Sequence, residues 1–564
     1  MRRNALRFVG GEIVGGLLQT RHDSVELEKK EDRSLDMIKK TVAVLRIEVP
    51  HRLLSRAMYW ISVGWLATLV LSQAARAEFE EVQAHVTEFT LTNGMTFIVL
   101  ERHQAPVASF VTWVGAGSAC EPKGQTGLAH LFEHMAQLKG SSRIGTKDFA
   151  QERLALDKED LAFAALREER WKGPRADPEK LKRLDAAFRV AREEAGKFVV
   201  GNEFLQAMQS AGGRVMNAWT GNDHMMFWYS LPANALEIWF YLEAERLRDL
   251  VFREFYKERE VVREERRWRV ENYPQGKLEE EFFAAAFKAH PYREPVLGYV
   301  SDLENLSRGD AEAFYRRYYV PNNCVVAIVG DVQPRLIREL AEAYFGRITR
   351  GPELAPIRPA EPPSESERRV ILRLGTDRYL WVGYRFPGFD HPDQVVYDAM
   401  ASLLAGGPSS RLQEALVKRQ SLVTDVSAAA GIAGRRIGVS SFIVKTRVAA
   451  GHSNEEVERA LDGELTRLQR ELVSEEELEA VKRRARLTFI RTLEDNHETA
   501  MQLAKYQSGT GDWRNMFRYL EQLGSMTPQD MQRAAKATFG RNNRTLAMIE
   551  PVEPQTPEES RSRQ

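Results

Sequence analysis

The chain has 564 residues, of which 43% are hydrophobic and 28% are charged, and its 80 Lys and Arg balance 80 Asp and Glu. This composition is that of an ordinary globular protein with enough apolar residues to form real cores. Zero net charge argues against a binder of nucleic acid or another polyanion, and two cysteines exclude a disulfide-rich scaffold or a four-cysteine zinc module.

Residues 1–77 form a leader that differs from the rest. They hold 13 Lys and Arg against 8 Asp and Glu, a net charge of +5, which leaves −5 on the remainder of the chain. An apolar run at residues 57–71 follows two arginines and precedes a small-x-small site at Ala75 and Ala77, as in a secretory signal peptide. The leader predicts export, with an uncleaved membrane anchor as the alternative and Met37 as a candidate start.

The chain then begins with a β-hairpin pattern. Alternating segments at residues 87–92 and 95–100 flank Asn93-Gly94, the strongest short hairpin signal. A further predicted strand, Val107 to Val114, leads through glycines to an apolar helix near Leu128.

Composition also divides the remaining chain. A Pro- and Glu-rich segment at residues 351–368 predicts a linker, and residues 551–564 predict a disordered tail. We therefore expect a first domain at residues 78–350 and a second at residues 369–550.

The two halves carry the same landmarks in the same order. Asp310 and an Asn-Asn pair at 322–323 precede one apolar strand, Asp530 and a pair at 542–543 precede another, and the offset is the same for both landmarks. This repeat predicts duplication and an α+β fold class, with two homologous domains that each combine a mixed sheet with helices. Residues from about 150 to 204 predict a helical hairpin inserted in the first domain.

One histidine pair carries chemistry. His130 and His134 lie four residues apart on the predicted helix, so both imidazoles share one face, with Glu133 beside them. Two imidazoles and a carboxylate suit zinc, which leaves a position for water, and a nearby glutamate can accept the proton. The alternative is a core cluster, which would be costly to bury without a charge partner.

A third ligand must come from another segment. In the acidic and basic helix predicted at residues 258–267, Glu258 and Glu265 are two turns apart and share a face with Val261 and Val262, whereas Glu264 is rotated away. From the residues alone, this helix is as readily a solvated surface as a source of a ligand.

The order His-x-x-Glu-His at residues 130–134, with the acidic helix downstream, resembles the insulinase/pitrilysin (M16) family of zinc peptidases, the inverzincins. Within the family, the chain most resembles the bacterial members that are similar to mitochondrial processing peptidase. The resemblance runs over nearly the whole chain after the leader. It implies a periplasmic zinc metalloprotease, a hydrolase whose two domains form a clam-like half-shell.

Residue by residue, the resemblance implies that His130, His134 and Glu265 bind one Zn²⁺ per chain. It implies Glu133 as the general base and Glu258 as a carboxylate that orients a ligand.

Asn217 and Ala218 match the edge strand on which the family pairs an extended peptide, with an ordinary strand-end role as the alternative.

Two departures accompany the resemblance. First, the interval between His134 and Glu265 is longer than is usual in the family, and the helical insertion accounts for the excess. Second, Val417 and Thr424 stand where active members carry an Arg and a Tyr that bind substrate and stabilise the oxyanion.

The leading prediction is therefore a zinc endopeptidase that acts on peptides or unfolded segments as the metal-bearing subunit of a pair. Its homologous partner would supply the Arg and the Tyr; a homodimer is the other arrangement. A non-catalytic assembly subunit and a peptide-binding protein that keeps its zinc but turns over slowly are the alternatives.

Overall fold

The computed structural model describes residues 79–359, 361–389 and 391–552, so the predicted leader and all but the first two residues of the predicted tail lie outside the described residues. Within these ranges, no helix combines the length and the apolar character needed to cross a membrane. Both halves of the chain belong to one compact unit that begins at Phe79.

The first half builds a mixed sheet of six strands: β1 (Val86–Thr90), β2 (Thr96–Glu101), β3 (Val107–Val114), β4 (Arg214–Thr220), β5 (Met225–Pro232) and β6 (Cys324–Gly330). Their order across this sheet, sheet 1, is β1-β2-β6-β3-β5-β4. The predicted hairpin is confirmed, because β1 pairs antiparallel with β2 and Gly94 turns the chain with a φ of +91°.

The first half also contains a set of helices, most of which surround this sheet. They are α1 (Leu128–Leu138), α2 (Phe149–Trp171), α3 (Pro178–Gly196), α4 (Glu203–Ser210), α5 (Leu236–Asp249), α6 (Phe255–Arg266), α7 (Pro274–Ala286), α8 (Val300–Asn305), α9 (Arg308–Tyr318) and α10 (Pro334–Phe345). The helices α2 and α3 form the predicted hairpin and pack against each other.

The second half builds a mixed sheet of five strands, sheet 2: β7 (Arg368–Arg373), β8 (Tyr379–Pro387), β9 (Val423–Ala430), β10 (Val439–Val448) and β11 (Arg544–Glu550). Their order is β7-β11-β8-β10-β9. The accompanying helices are α11 (Gln394–Ala405), α12 (Asn454–Arg470), α13 (Glu475–Glu494), α14 (Asn496–Thr510), α15 (Asn515–Ser525) and α16 (Pro528–Thr538). Between the halves, the described part of residues 351–367 contains no helix or strand.

The predicted repeat is visible in the hydrogen bonds that end each half. Ser307 and Asp310 form a reciprocal cap on α9, and Thr527 and Asp530 form the same cap on α16. After each helix, an asparagine side chain donates to the last turn: Asn323 to the Tyr318 carbonyl at 2.8 Å, and Asn543 to the Thr538 carbonyl at 3.0 Å. The equivalent positions keep one constant offset, as the sequence predicts.

Each half also covers a sheet of the other half. Helix α14 of the second half lays Ala500, Leu503 and Ala504 against the face of sheet 1 that carries Ile98 and Val111. Helix α7 of the first half lays Leu278 and Phe282 against sheet 2 at Trp381 and Ile443. Since these apolar faces are buried only when both halves are present, the halves stabilise each other.

The inserted hairpin is fixed to the first half by buried arginines. Arg253 bonds Glu152 of α2 at 2.8 Å and donates to the carbonyls of Ser141 and Ile144. Arg308 donates to the Leu156 carbonyl of α2 at 2.9 Å. These charge-assisted bonds are buried, so the insertion is an integral part of the first half.

The contact between α7 and sheet 2 generates a stability prediction. A Cβ built on Gly383 would lie 2.3 Å from the ring of Phe282, which is fully buried and has no room to move. Gly383→Val should therefore lower the free energy of unfolding by about 1–3 kcal/mol through overpacking, measured by denaturant titration.

Gly463 is the matched control for Gly383, because it lies in α12 with open space where a Cβ would point. Gly463→Ala should leave stability unchanged or raise it by up to about 1 kcal/mol. Equal effects of the two substitutions would contradict tight packing of α7 on sheet 2.

Candidate metal centre

The helix that carries the histidine pair starts from a constrained position. Gly127, immediately before α1, adopts the left-handed region with a φ of +85°, and a Cβ there would lie 2.8 Å from the Leu297 carbonyl oxygen. The Glu121 carboxylate accepts hydrogen bonds from the Gly127 N–H at 3.0 Å and the Ala129 N–H at 2.7 Å. These two N–H groups have no partner within the helix itself, so their hydrogen bonds to Glu121 place the first turn of α1 firmly.

Three side chains from α1 and α6 converge. The ligand atoms of His130, His134 and Glu265 all lie within 4.8 Å of one another. Glu265 Oε2 is 3.7 Å from His130 Nε2 and 3.5 Å from His134 Nε2. The structure thus brings together the three residues that the sequence proposed as ligands.

This arrangement fits a zinc ion by distance and by donor type. Zinc bonds of about 2.0–2.1 Å in a tetrahedral site place the ligand atoms about 3.4 Å apart, close to the 3.7 Å and 3.5 Å between Glu265 Oε2 and the two imidazole nitrogens. Two imidazole nitrogens and one carboxylate oxygen match the donor set of catalytic zinc sites, which keep a fourth position open.

The charges of the cluster follow from burial and from mutual contact. Burial lowers the pKa of His130 to about 4. Burial also acts against the charge of His134, but Glu258 and Glu265 outweigh it and raise its pKa to about 9. Although burial opposes ionisation of both glutamates, their charged neighbours lower the pKa of Glu258 to about 2 and hold the pKa of Glu265 below its usual value. The two carboxylates are therefore available to a cation, whereas His134 must release its proton to bind one.

Glu258 supports the cluster from behind. Its Oε2 atom lies 3.6 Å from His134 Nδ1, the ring nitrogen that points away from the convergence point. Its other oxygen accepts a hydrogen bond at 2.8 Å from Lys139, which also bonds Glu254 at 2.9 Å. A carboxylate in this position fixes the orientation of an imidazole ligand. Lys139 was not singled out from the sequence, since an isolated lysine after α1 gives no signal.

The two valines of α6 differ in burial. Val262 is fully buried on the face that carries Glu258 and Glu265, whereas Val261 is 45% exposed. At about 100° per residue, Val262 lies on one flank of this face and Val261 on the other, so both share it, but only Val262 packs into the interior. Glu264 is exposed and pairs with Arg267, as its rotation away from the cluster predicts.

Glu133 lies on α1 beside the ligands and is held by β4. The Thr220 hydroxyl donates a short hydrogen bond to Glu133 Oε2. Burial raises the pKa of Glu133, and the Thr220 hydrogen bond opposes that shift only in part. A glutamate with a raised pKa is suited to accept and return a proton near neutral pH. Thr220 lies two residues after Ala218 on the strand that the sequence predicts as an edge strand, but nothing in the sequence links it to Glu133.

The strand that ends at Thr220 is free on one side. Sheet 1 ends at β4, which pairs only with β5 among the described strands. Asn217 is exposed, and its side-chain oxygen accepts a hydrogen bond from the Ala218 N–H at 2.9 Å. The edge also bulges at Val215, whose φ is +48°. Both features disfavour unspecific pairing of β4 with the strand of another molecule, while its free edge stays accessible.

Val417 and Thr424, which stand where active family members carry an Arg and a Tyr, supply no group that reaches the cluster of His130, His134 and Glu265. Thr424 is exposed on β9, and its hydroxyl donates to the Arg447 carbonyl at 3.4 Å. Val417 packs partly buried against the core of the second half. The neighbouring cations are paired locally, Lys418 with Glu414 and Arg419 with Glu464. Among the described contacts, none of these side chains meets a residue of the metal cluster.

The comparisons with families and relatives agree with one another. The family model "Insulinase (Peptidase family M16)" matches residues 97–160, and "Peptidase M16 inactive domain" matches residues 305–485. The zinc protease PqqE of Helicobacter pylori is 30% identical over 364 residues, which cover 63% of this chain and 80% of that protein. The probable mitochondrial-processing peptidase subunit beta of Schizosaccharomyces pombe is 23% identical over 259 residues, 46% of this chain and 44% of that protein.

Solved structures share the fold. A protease from Helicobacter pylori matches with a TM-score of 0.69 and 25% identity, covering 83% of this chain and 99% of that one. The periplasmic protease PqqL from Escherichia coli matches with a TM-score of 0.60 and 17% identity, covering 83% of this chain and 49% of that one.

The contact of Lys139 with Glu258 generates a prediction for metal affinity. Lys139→Met removes the cation that holds Glu258 in place, so the zinc dissociation constant should rise about 10-fold or more, as for other losses behind a metal ligand. Competition with a chromophoric chelator measures this constant.

Lys257→Met is the matched control, because Lys257 bonds the same Glu254 from a side chain that is 63% exposed. It should leave the zinc dissociation constant unchanged. An unchanged constant in Lys139→Met would show that Glu258 is oriented without the lysine.

Proposed function

Since this chain belongs to the M16 (insulinase) family of peptidases, we propose that it is a zinc-dependent metalloendopeptidase that hydrolyses peptides or unfolded protein segments. The observation that carries the proposal is the convergence of His130, His134 and Glu265 within 4.8 Å, with Glu133 beside them. In this proposal the three converging residues bind one Zn²⁺ per chain, and Glu258 orients His134.

We assign substrate binding to the free edge of β4. An extended peptide would add a strand there, with Asn217 and Ala218 as its backbone partners, so that affinity comes from main-chain hydrogen bonds rather than from sequence. The Asn217 side chain must release the Ala218 N–H for such pairing, since it now accepts that hydrogen bond. Because β4 leads directly to Thr220 and Glu133, a peptide on this edge passes the catalytic carboxylate.

Glu133 is the proposed general base and acid. When bound, zinc supplies a Lewis acid that polarises a peptide carbonyl and makes water easier to deprotonate. Glu133 accepts the proton from the attacking water and then donates it to the leaving amine. Thr220 keeps the carboxylate of Glu133 in one orientation through its hydrogen bond.

Replacing the proposed base generates the central test of activity. Glu133→Gln should retain zinc, because Glu133 is not among the converging ligands, and should lower kcat for a quenched peptide by about 10²–10⁴-fold. Zinc content and peptide cleavage are measured on the same preparation.

Glu264→Gln serves as the matched control, since Glu264 is exposed on α6 and pairs only with Arg267 among its described contacts. It should leave both zinc content and cleavage unchanged. Retained cleavage in Glu133→Gln would contradict the assignment of the base.

We further propose that this chain is the metal-bearing subunit of a pair. Val417 and Thr424 supply neither a guanidinium nor a phenol, so they cannot stabilise an oxyanion as the family's Arg and Tyr do. A homologous subunit that carries these groups would complete the site. A heterodimer accounts for their absence more directly than a homodimer, whose two copies would both lack them.

The pairing proposal is tested by adding the missing groups in trans. A two-domain homologue encoded next to this chain, with the Arg and Tyr but without His-x-x-Glu-His, should raise kcat of the mixture by about 10²–10³-fold, as an oxyanion donor does. The partner's own Tyr→Phe variant is the control and should remove most of this gain. Full activity of the chain alone, with no effect of the partner, would contradict the proposal.

A second candidate function rests on the same two positions. A zinc-containing peptide-binding or assembly subunit would keep the cluster and the free β4 edge but turn over slowly or not at all, since Val417 and Thr424 lack the oxyanion-binding groups. A chain that binds zinc and peptide, yet stays inactive with every partner, would favour this function.

Location and domain boundaries also belong to the proposal. We propose export to the periplasm through the signal sequence at residues 1–77, with a zinc-binding domain at 78–350 and a metal-free domain at 369–550. The apolar run of the leader and the structural likeness to PqqL, a periplasmic protease, support the location. The separate sheets of the two halves support the boundaries.

A further inference from the structure

The second half contains a cavity to which the proposed peptidase reaction assigns no role. It has a volume of about 540 Å³ and lies among α11, α13, α14 and α15. Cavities that bind small molecules have volumes of about 300–1,000 Å³. All of its lining residues lie between Asp398 and Leu523, so His130, His134 and Glu265 are not among them.

One part of the cavity wall is apolar and aromatic. Phe489 of α13, Tyr506 of α14 and Met516 and Tyr519 of α15 line it. Met516 is almost fully buried, and the three rings are partly exposed toward the cavity and its mouth. Such a wall favours the burial of an acyl chain or a ring.

The other part of the wall is cationic. Lys505 of α14 has no hydrogen-bond or ion-pair partner among the described residues, and burial lowers its pKa. Arg484 of α13 donates to the Ser402 carbonyl at 3.0 Å, while its buried Nε has no partner within the described chain. Arg491, two helical turns further along α13, is exposed at the mouth without an acidic partner in the described structure. The cavity is thus lined by three basic side chains, Lys505, Arg484 and Arg491.

The single carboxylate in the lining does not neutralise them. Asp398 of α11 accepts two hydrogen bonds from Arg435, one of them at 3.0 Å, so its charge is already paired. Arg435 is in turn held by the first half, because its backbone N–H donates to Asp223 at 2.8 Å. Because the acid is already paired, the lining has an excess of basic side chains that can donate hydrogen bonds to an anion.

We propose that this cavity binds a small amphipathic anion, a compound with one carboxylate-like head group on an apolar chain or ring. Lys505 and Arg484 bind the head group through charge-assisted hydrogen bonds. Phe489, Tyr506 and Met516 enclose the apolar part. The site is independent of zinc and of the proposed peptidase activity.

Isothermal titration of the full chain with decanoate tests this proposal. Decanoate should bind with a dissociation constant below about 1 mM, and decanol and inorganic phosphate should each bind at least about 10-fold more weakly, because each lacks one of the two recognised parts. Lys505→Met and Arg484→Met should each weaken decanoate binding by about 10-fold, whereas Lys505→Arg should retain it.

Arg486→Met is the matched control, since Arg486 lies on α13 beside Arg484 but is exposed and does not line the cavity. It should bind decanoate as the unmodified chain does. No binding of decanoate below about 1 mM, equal binding of decanol, or equal losses in Arg486→Met and Arg484→Met would each overturn the proposal. Comparable thermal unfolding of the variants shows that a loss of binding is not a loss of fold.

Discussion

The candidate site depends on one constraint: α1 and α6, which are far apart in sequence, must keep one relative position so that their charged side chains stay in contact. Glu258 and Glu265 lie two turns apart on α6, and both approach His134 of α1, at 3.6 Å and 3.5 Å. Lys139, just after α1, bonds back to Glu258 and ties the end of one helix to the start of the other. The geometry of the proposed zinc site is therefore built into the packing of two helices, which is more rigid than a site made on loops.

The rest of the first half maintains this relative position of α1 and α6. Glu121 and Gly127 fix where α1 begins, and the inserted hairpin packs against the opposite side of α6. There the Tyr256 hydroxyl donates to Asp160 of α2 at 2.7 Å, and the Arg259 guanidinium lies 4.7 Å from the ring centre of Phe163. An insertion that lengthens the interval between His134 and Glu265 thus also supports the helix that carries Glu258 and Glu265.

Much of the fold and site could be predicted from local sequence patterns. The β1–β2 hairpin, the inserted helical hairpin and the repeat of equally offset landmarks depend on turn residues, helix periodicity and spacing, which are properties of short segments. The convergence of His130 and His134 follows from their spacing on one helix. Lys139 and the link from Thr220 to Glu133 could not be predicted, because each joins segments whose distance is set only by tertiary packing. The packing of α7 on sheet 2 and of α14 on sheet 1 could not be predicted for the same reason.

The central claim is that α1 and α6 together form a single zinc site with two imidazoles and one carboxylate. X-ray absorption at the zinc edge of the purified full-length protein tests it most directly, because it reports the donor atoms around the metal itself. The account predicts one zinc per chain, with two histidine nitrogens and oxygen donors at about 2.0–2.1 Å. A sulfur shell at about 2.3 Å, fewer than two imidazoles, or no tightly bound zinc would contradict it.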